Sequence, residues 1–158
     1  MPAPKYRDIG IIDAKFGRNC EVVKPVNLYG CTIGDDCFIG PFVEIQKNVL
    51  IGNRCRIQSH SFLCELVTIG DDCFVAHGVM FVNDLFELGE PARGKPEYWR
   101  PTVIGNNVSI GSNVTILPVK ICSDVTIGAS AVVSRDITEP GVYAGNPAKK
   151  MQKKLNNK

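Results

Sequence analysis

The chain repeats an aliphatic or aromatic residue every six positions, and this period constrains its fold more than any other feature. Eighteen such units can be counted, and the units that start at Leu28 and Ile116 are one residue short. A smaller residue usually follows four positions later, as Cys37 follows Ile33. Spacings of six and four match neither the 3.6-residue turn of a helix nor the alternation of a long strand. They predict short strands joined by tight turns and wound into a solenoid, in which each coil rests on its neighbours.

A longer repeat shows how the units are wound. The motif IGDD at Ile33 recurs after 18 residues as IGNR at Ile51 and again as IGDD at Ile69, whereas IGNN at Ile104 follows only after 35. Three units therefore form one coil, and a 17-residue insertion over 85–101 interrupts the array. The glycine, aspartate and asparagine residues fall at the corners, where tight turns favour backbone conformations that these residues tolerate.

The length of 158 residues, 44% apolar and 22% charged content predict one soluble globular domain over 1–158. We expect an N-terminal lead-in over 1–15, the solenoid over 16–134 and a C-terminal cap over 135–158. Pro147 suits the first turn of a short helix running to about Leu155. No apolar run approaches the roughly 18 residues of a membrane span, and the N-terminus lacks the apolar segment of a signal peptide. These features predict a cytoplasmic protein that has no membrane partner.

The formal charge of +2 conceals a basic tail. Five lysines occur in the last ten residues, and without them the chain has 13 basic against 16 acidic residues. A nucleic-acid binder would need a basic face with aromatic platforms, so we expect no nucleic-acid partner. The tail is either solvated or bound to a compact polyanion such as a phosphorylated cofactor.

The seven cysteines do not indicate a metal site. Cys20, Cys37, Cys55 and Cys73 occupy the small position four residues after the aliphatic one, where burial as small hydrophobic residues explains them. No Cys-x-x-Cys pair is present, and we therefore expect no bound metal.

Coil spacing predicts which polar residues lie together. Stacked coils bring residue n over residue n+18, at about 4.8 Å. Lys47, Glu65 and Asn83 then form one column, which ends where the insertion begins. Insertions of this length in a compact array are usually functional.

The only two histidines fall near a second column. Ser59 lies beneath His77, which lies beneath Ser112 and Ala129, and His60 is next to Ser59. We expect this column to converge with Asn83 in one site. Either histidine would serve as a proton acceptor or only as a wall of that site.

The array resembles the hexapeptide-repeat acyltransferase family. That resemblance implies an all-β, left-handed parallel β-helix, here of about six coils, and handedness rests on the resemblance alone. It also implies a homotrimer with active sites between subunits.

A longer stretch is similar to a subgroup of that family. The segment IQSHSFLCELVTIGDDCFVAHGVMFVND, followed by a loop ending in EYWRPTVIGNNVSIG, resembles N-acetyltransferases that acetylate 3-amino sugars linked to dTDP or UDP. These enzymes serve the synthesis of bacterial surface polysaccharides such as O-antigen and S-layer glycans. The resemblance implies that Asn83 holds the sugar near its amine and that Glu65 lines the sugar pocket. The motif GNPAK from Gly145 implies basic residues near the phosphates of coenzyme A.

The predicted site combines these observations, with acetyl-CoA as the acyl donor and a nucleotide sugar as the acceptor. The residues with predicted catalytic roles are Asn83, His60, His77 and Glu65. Those predicted to bind substrate are Asp84, Glu65, Arg93, Tyr98, Trp99 and Arg100, and those predicted to bind coenzyme A are Ser112, Ala129, Lys149 and Lys150.

Three other functions are compatible with the same fold. O-acetylation of a sugar or of serine stays open because both histidines are present. A non-catalytic trimeric β-helix would need none of these roles. A carbonic anhydrase of this fold needs three histidines on zinc, whereas the sequence contains only His60 and His77.

Overall fold

The computed structural model describes residues 3–6 and 8–152, and almost every element in it is a strand of two to four residues. The exception is a short 3-10 helix over Pro96–Tyr98 in the inserted loop. Residues 153–155 of the predicted C-terminal helix lie outside the described residues. Within the described ranges, no helix has the length and apolar character needed to cross a membrane.

The strands, numbered in chain order, form three sheets that run along the solenoid. Sheet A contains β1 (Ile11–Ile12), β4 (Asn27–Tyr29), β7 (Glu44–Ile45), β10 (Phe62–Leu63), β13 (Met80–Phe81), β16 (Thr115–Ile116) and β19 (Val132–Val133). Sheet B contains β2 (Lys15–Phe16), β5 (Thr32–Ile33), β8 (Leu50–Ile51), β11 (Val67–Ile69), β14 (Thr102–Ile104) and β17 (Lys120–Ile121). Sheet C contains β3 (Glu21–Val22), β6 (Phe38–Ile39), β9 (Arg56–Ile57), β12 (Phe74–Val75), β15 (Ser109–Ile110), β18 (Val125–Ile127), β20 (Gly141–Ala144) and β21 (Lys149–Lys150).

Each strand from β1 to β16 pairs in parallel with the strand three positions later in the chain, as expected when three units make one coil. The register steps by 18 residues between Ile33 and Ile51, and by 17 between Leu28 and Ile45, where the unit is one residue short. Ile69 pairs with Ile104, so the inserted loop leaves the ladder unbroken. The solenoid has about seven turns rather than six and fits the left-handed parallel β-helix, which confirms the predicted fold class.

The six-residue period fills the core. Its aliphatic residues are almost fully buried from Leu28 to Val133, as at Ile39 and Ile57. Phe16, with 36% of its surface exposed, and Val22 are less buried because they belong to the first coil, which is covered from one side only.

Cysteine side chains complete one corner of the coil. The thiol of Cys37 donates to the carbonyl of Gly52 at 3.2 Å, and that of Cys55 to the carbonyl of Gly70 at 3.1 Å. Each thiol therefore donates a hydrogen bond to a backbone carbonyl at the corner of the next coil. Among the described residues, no group of three or more ligating side chains could hold a metal ion.

The two ends of the solenoid differ from the expectation. The segment from Pro147 to Gln152 is not helical: β20 pairs in parallel with β18, and β21 folds back on β20 in antiparallel fashion. The prediction of a C-terminal helix was wrong because this arrangement continues the hydrogen-bond ladder of sheet C, which a helix would leave unpaired. At the other end, β1 lies inside the predicted lead-in over 1–15, and β2 begins at its last residue, so the solenoid starts earlier than predicted.

The corner glycines are sites of close approach between coils. A Cβ atom added at Gly52 would lie 2.7 Å from the backbone carbonyl of Gly70, whereas one added at Gly10 would have no atom within 4 Å. We expect Gly52→Ala to lower the free energy of unfolding by about 1–3 kcal/mol, because the coils must separate. Gly10→Ala is the matched control, and denaturant unfolding measures both. Equal stability of the two variants would contradict this packing.

Candidate functional site

The predicted site residues lie on two different edges of the solenoid. The edge between sheets A and B carries Lys47, Glu65 and Asn83, and we call it the asparagine edge. The edge between sheets C and A carries Phe42, His60 and His77, and we call it the histidine edge. Strands of sheet A separate the two.

On the asparagine edge, three residues from successive coils are in contact. The amide nitrogen of Asn83, Nδ2, donates to the backbone carbonyl of Glu65 at 3.2 Å. The Lys47 Nζ atom lies 3.6 Å from the Glu65 carboxylate, which is almost fully buried while the lysine is exposed. In the described part of the chain, no group donates to Asn83 Oδ1. The anchored amide therefore presents an acceptor suited to an N–H or O–H group of a ligand.

A second set of polar side chains supports Glu65 from below. The Gln46 side-chain oxygen accepts the Glu65 backbone N–H at 3.3 Å, and its amide nitrogen donates to Glu44 at 3.3 Å. Burial raises the pKa of the nearby Tyr29 phenol, and the negative charges of Glu44 and Glu65 add to that effect. Tyr29 is consequently a neutral hydroxyl beside two carboxylates. Tyr29 and Gln46 were not predicted as site residues, although Gln46 directly precedes Lys47 and Tyr29 lies one coil earlier, 17 residues away because that coil has a short unit.

Asp84 organises the inserted loop. Its two carboxylate oxygens accept the backbone N–H groups of Phe86 at 2.9 Å and Ala92 at 2.8 Å, and its backbone bridges to Trp99. The Arg100 N–H donates to the carbonyl of Asn83 at 2.9 Å, which closes the base of the loop. Both oxygens of Asp84 are thus engaged within the loop, and a direct contact with substrate would compete with these hydrogen bonds.

The two arginines of the loop form ion pairs with loop glutamates. Arg100 lies 2.6 Å from Glu87, and Arg93 lies 2.8 Å from Glu90. Tyr98 and Trp99 are half-buried where the loop returns to the solenoid. The loop is therefore held by its own ion pairs and by Asp84, with its aromatic residues close to Asn83 at the base.

On the histidine edge, the predicted column is present. Ser59 Oγ and His77 Nδ1 are 2.8 Å apart, which leaves Nε2 of His77 for a ligand. The His77 carbonyl accepts the Asn113 N–H at 2.9 Å, and the Ser112 carbonyl accepts the Ser130 N–H at 2.8 Å. His60 is exposed and stacks on Phe42 rather than facing His77.

The C-terminal hairpin closes the upper end of this edge. The Val132 N–H donates to the Gly145 carbonyl at 3.0 Å, and the Ala148 N–H donates to the Val132 carbonyl at 2.8 Å. These bonds place Lys149 and Lys150 on the hairpin above Ser112 and Ala129. An ion pair with Glu139 at 2.7 Å raises the pKa of Lys150, whereas Lys149 is exposed.

The two edges do not converge within one chain, in contrast to the expectation from coil spacing. His77 precedes β13 and Asn83 follows it, so the width of sheet A separates them, at most about 20 Å for six residues. Coil spacing predicts neighbours along the solenoid axis, but it carries no information about distances across a face.

Comparison with known proteins agrees with the coil geometry. Residues 30–64 match the family model described as bacterial transferase hexapeptide (six repeats), and residues 101–135 match the hexapeptide repeat of succinyl-transferase. These matches support the hexapeptide-repeat acyltransferase superfamily that the sequence resembles. The two matched segments lie on either side of the inserted loop.

Individual hexapeptide-repeat proteins are similar over most of the chain. The bifunctional protein GlmU of Gloeothece citriformis is 32% identical over 131 residues, which are 82% of this chain and 26% of that protein. A putative acetyltransferase of Saccharomyces cerevisiae is 34% identical over 126 residues, 78% of this chain and 59% of that protein. The chain therefore spans about a quarter of the GlmU relative and just over half of the yeast one.

A solved structure shares the fold. A mutant of AntD, an N-acyltransferase from Bacillus cereus, in complex with dTDP and coenzyme A, superposes with a TM-score of 0.76 at 19% identity. The match covers 89% of this chain and 83% of AntD.

The Asp84 contacts predict how the loop responds to mutation. Asp84→Ala removes the acceptor of two loop N–H groups, and hydrogen bonds to charged groups contribute about 1.5–3 kcal/mol each. We expect trypsin to cleave after Arg93 at least roughly tenfold faster, since Arg93–Gly94 is the loop bond it can attack without a following proline. Asp72→Ala, which removes an ion pair to Arg54 on another edge, is the matched control. The same cleavage rate in both variants would exclude Asp84 as the organiser of the loop.

Proposed function

We propose that this protein transfers the acetyl group of acetyl-CoA to the amine of a nucleotide-linked amino sugar. The observation that carries the proposal is the Asn83 amide, held by Glu65 with its Oδ1 available beside a preformed loop. The acceptor we infer is a dTDP- or UDP-linked 3-amino sugar used in a bacterial surface polysaccharide, and the compartment is the cytoplasm. The N-acyltransferase AntD, which binds dTDP and coenzyme A, supports the nucleotide as part of the acceptor.

An amine substrate makes modest demands on the site. An amine attacks a thioester only when it is unprotonated, and with a pKa of about 7.7–8.0 on the order of a tenth is neutral near pH 7. Orientation by the protein then supplies much of the rate increase, and a positioned base adds roughly 10²–10⁴-fold. In the proposed complex, Asn83 Oδ1 accepts a hydrogen bond from the amine or a neighbouring hydroxyl. Glu65 keeps the Asn83 amide in that orientation.

Acetyl-CoA supplies the thioester carbonyl that the amine attacks. We place coenzyme A along the histidine edge, past Ser112 and Ala129 toward Lys149 and Lys150. The lysines lie at the end of this edge, where their charges would face the phosphates. His77, fixed through Nδ1 by Ser59, has Nε2 free to accept the proton of the amine. When the carbon–sulfur bond of the thioester breaks, the departing thiolate of coenzyme A takes up that proton.

Because the two edges lie at opposite ends of β13, one chain cannot bring Asn83 to its own His77. We therefore propose a homotrimer in which the asparagine edge of one subunit faces the histidine edge of the next. Each site would then combine the acceptor residues of one chain with the donor residues of another.

The role of Asn83 is tested by acetyl transfer. With acetyl-CoA and a panel of dTDP- and UDP-linked 3- and 4-amino sugars, we expect free thiol to appear with at least one amine. Asn83→Ala should reduce kcat/KM by 100-fold or more, because the acceptor is no longer oriented. Thr68→Ala, on the outer face of neighbouring β11, is the control. Release of no thiol with any amine would overturn the proposed function.

The role of His77 is tested by the pH dependence of the rate. If His77 accepts the proton, His77→Gln should lower kcat by roughly 10²–10⁴-fold and change the shape of the acidic limb of the pH–rate profile, leaving only the limb that the substrate amine itself causes. Ser59→Ala should give a smaller loss, since it frees the ring without removing it. Near-wild-type activity of His77→Gln would show that His77 lines the site without accepting the proton.

The Ser59–His77 hydrogen bond also favours a second candidate, O-acetylation, because a hydroxyl needs a base more than an amine does. The same assay with hydroxyl sugars and serine separates the two reactions.

A non-catalytic β-helix that does not bind acetyl-CoA would show no rise in melting temperature when acetyl-CoA is added. A ligand that binds only the folded state must raise the melting temperature.

A further inference from the structure

Phe42 stands at a corner position that a bulky residue seldom occupies. Its φ is +60°, in the left-handed region, where most other corners of this chain have aspartate, asparagine or glycine. Its side chain is 56% exposed, so the core does not compensate for the strained backbone. Strain of this kind persists at functional sites more often than elsewhere.

One coil further on, His60 extends Phe42 into a stacked aromatic pair. The two ring centroids are 4.8 Å apart, with an angle of 15° between the ring planes. His60 also has a left-handed backbone, with φ of +63°, and its N–H donates to the Pro41 carbonyl at 3.2 Å. Two successive corners therefore hold exposed aromatic rings in parallel at the same edge.

A small cavity adjoins Phe42 on the side of sheet A. Its volume is about 220 Å³, and Phe42, Pro25 and Val26 supply apolar walls. Asn27 and Glu44 are the polar residues of its lining, and one Glu44 carboxylate oxygen accepts the Gln46 amide. Pockets for drug-sized ligands have roughly 300–1,000 Å³, so this cavity suits a single ring system. Lys24 lines the adjoining cavity.

We propose that the Phe42–His60 pair and this cavity bind the nucleobase of the acceptor nucleotide. Aromatic faces stack on any base, while the amide of Asn27 and the carboxylate of Glu44 can hydrogen-bond to the polar edge of a base. The ammonium group of Lys24 would lie near the diphosphate. This inference rests on the proposed function and adds to it a binding site for the nucleotide part of the acceptor.

Position along the histidine edge separates this site from that of coenzyme A. Four coil steps of about 4.8 Å, roughly 20 Å, lie between Phe42 and Ser130, and the hairpin with Lys149 lies beyond them. The lysines at the upper end suit the phosphates of coenzyme A. The aromatic pair at the lower end is free for the base of a different nucleotide.

Direct binding to the intact protein tests the proposal. Isothermal titration with dTDP, UDP and coenzyme A should give a dissociation constant for dTDP or UDP that rises about 5- to 150-fold in Phe42→Leu, the range expected for loss of one stacked base. Phe74→Leu removes a partly exposed ring from sheet C and should change none of the three constants. In turnover, Phe42→Leu should raise KM for the nucleotide sugar and leave kcat at saturation unchanged.

The possible results separate this site from the proposed reaction. Unchanged binding of all three probes in Phe42→Leu, while wild-type protein still acetylates an amine, overturns the nucleobase site alone. Weaker nucleotide binding in Phe42→Leu without acetyl transfer to any amine supports the site and overturns the proposed reaction. Weaker binding of coenzyme A only would assign the pair to adenine and overturn the assignment to the acceptor.

Substitution of His60 distinguishes stacking from proton transfer. His60→Phe keeps a ring and should bind dTDP or UDP as the wild-type protein does, whereas His60→Leu should bind more weakly. Equal weakening in both variants would contradict a stacking role, since the phenyl ring preserves the aromatic face. Circular dichroism confirms that each variant has folded.

Discussion

The hydrogen bonds between successive coils determine most of this structure. The strands of the coils donate and accept along parallel ladders. In sheet B, the Gly52 N–H donates to the Ile69 carbonyl at 2.8 Å, and the equivalent bond on every other coil is 2.8 or 2.9 Å long. Because the ladder fixes the rise at about 4.8 Å per coil, a sequence repeat becomes a column of side chains in space. The core and the ladders of corner side chains all follow from that conversion.

The corners show how the same constraint separates structural from functional positions. Between sheets B and C, the backbone N–H of Asp35 donates to Asn53 Oδ1, that of Asn53 to Asp71 Oδ1, and that of Asp71 to Asn106 Oδ1. These side chains are occupied by the coil below, which explains their repetition. The asparagine edge departs from the pattern, with a buried Glu65 and an amide at Asn83 that has one atom still available. Polar groups that do not hydrogen-bond to a neighbouring coil are the ones available to contact a ligand.

Residues that follow the six-residue period could be placed from the sequence. Residues whose contacts are not part of the repeat could not. The column of Lys47, Glu65 and Asn83 followed from counting by 18. The bonds of Asp84 to Phe86 and Ala92 are local to an aperiodic loop, and no spacing predicts them. Pro147 was assigned to a helix from its local preference, but the open edge of sheet C determined the conformation instead. The separation of His77 from Asn83 was missed because the period describes the axis of the solenoid and not its cross-section.

The triangular cross-section limits which residues a single chain can bring together. A triangular solenoid presents its edges in different directions, so residues on separate edges meet only when a second solenoid packs alongside. Three chains related by threefold symmetry place one edge of each against a different edge of the next, and every contact is then equivalent. Such an arrangement would join Asn83 of one chain to His77 of another without any change in either coil. The rigidity of the ladder, which keeps the two apart within a chain, would then fix their distance between chains.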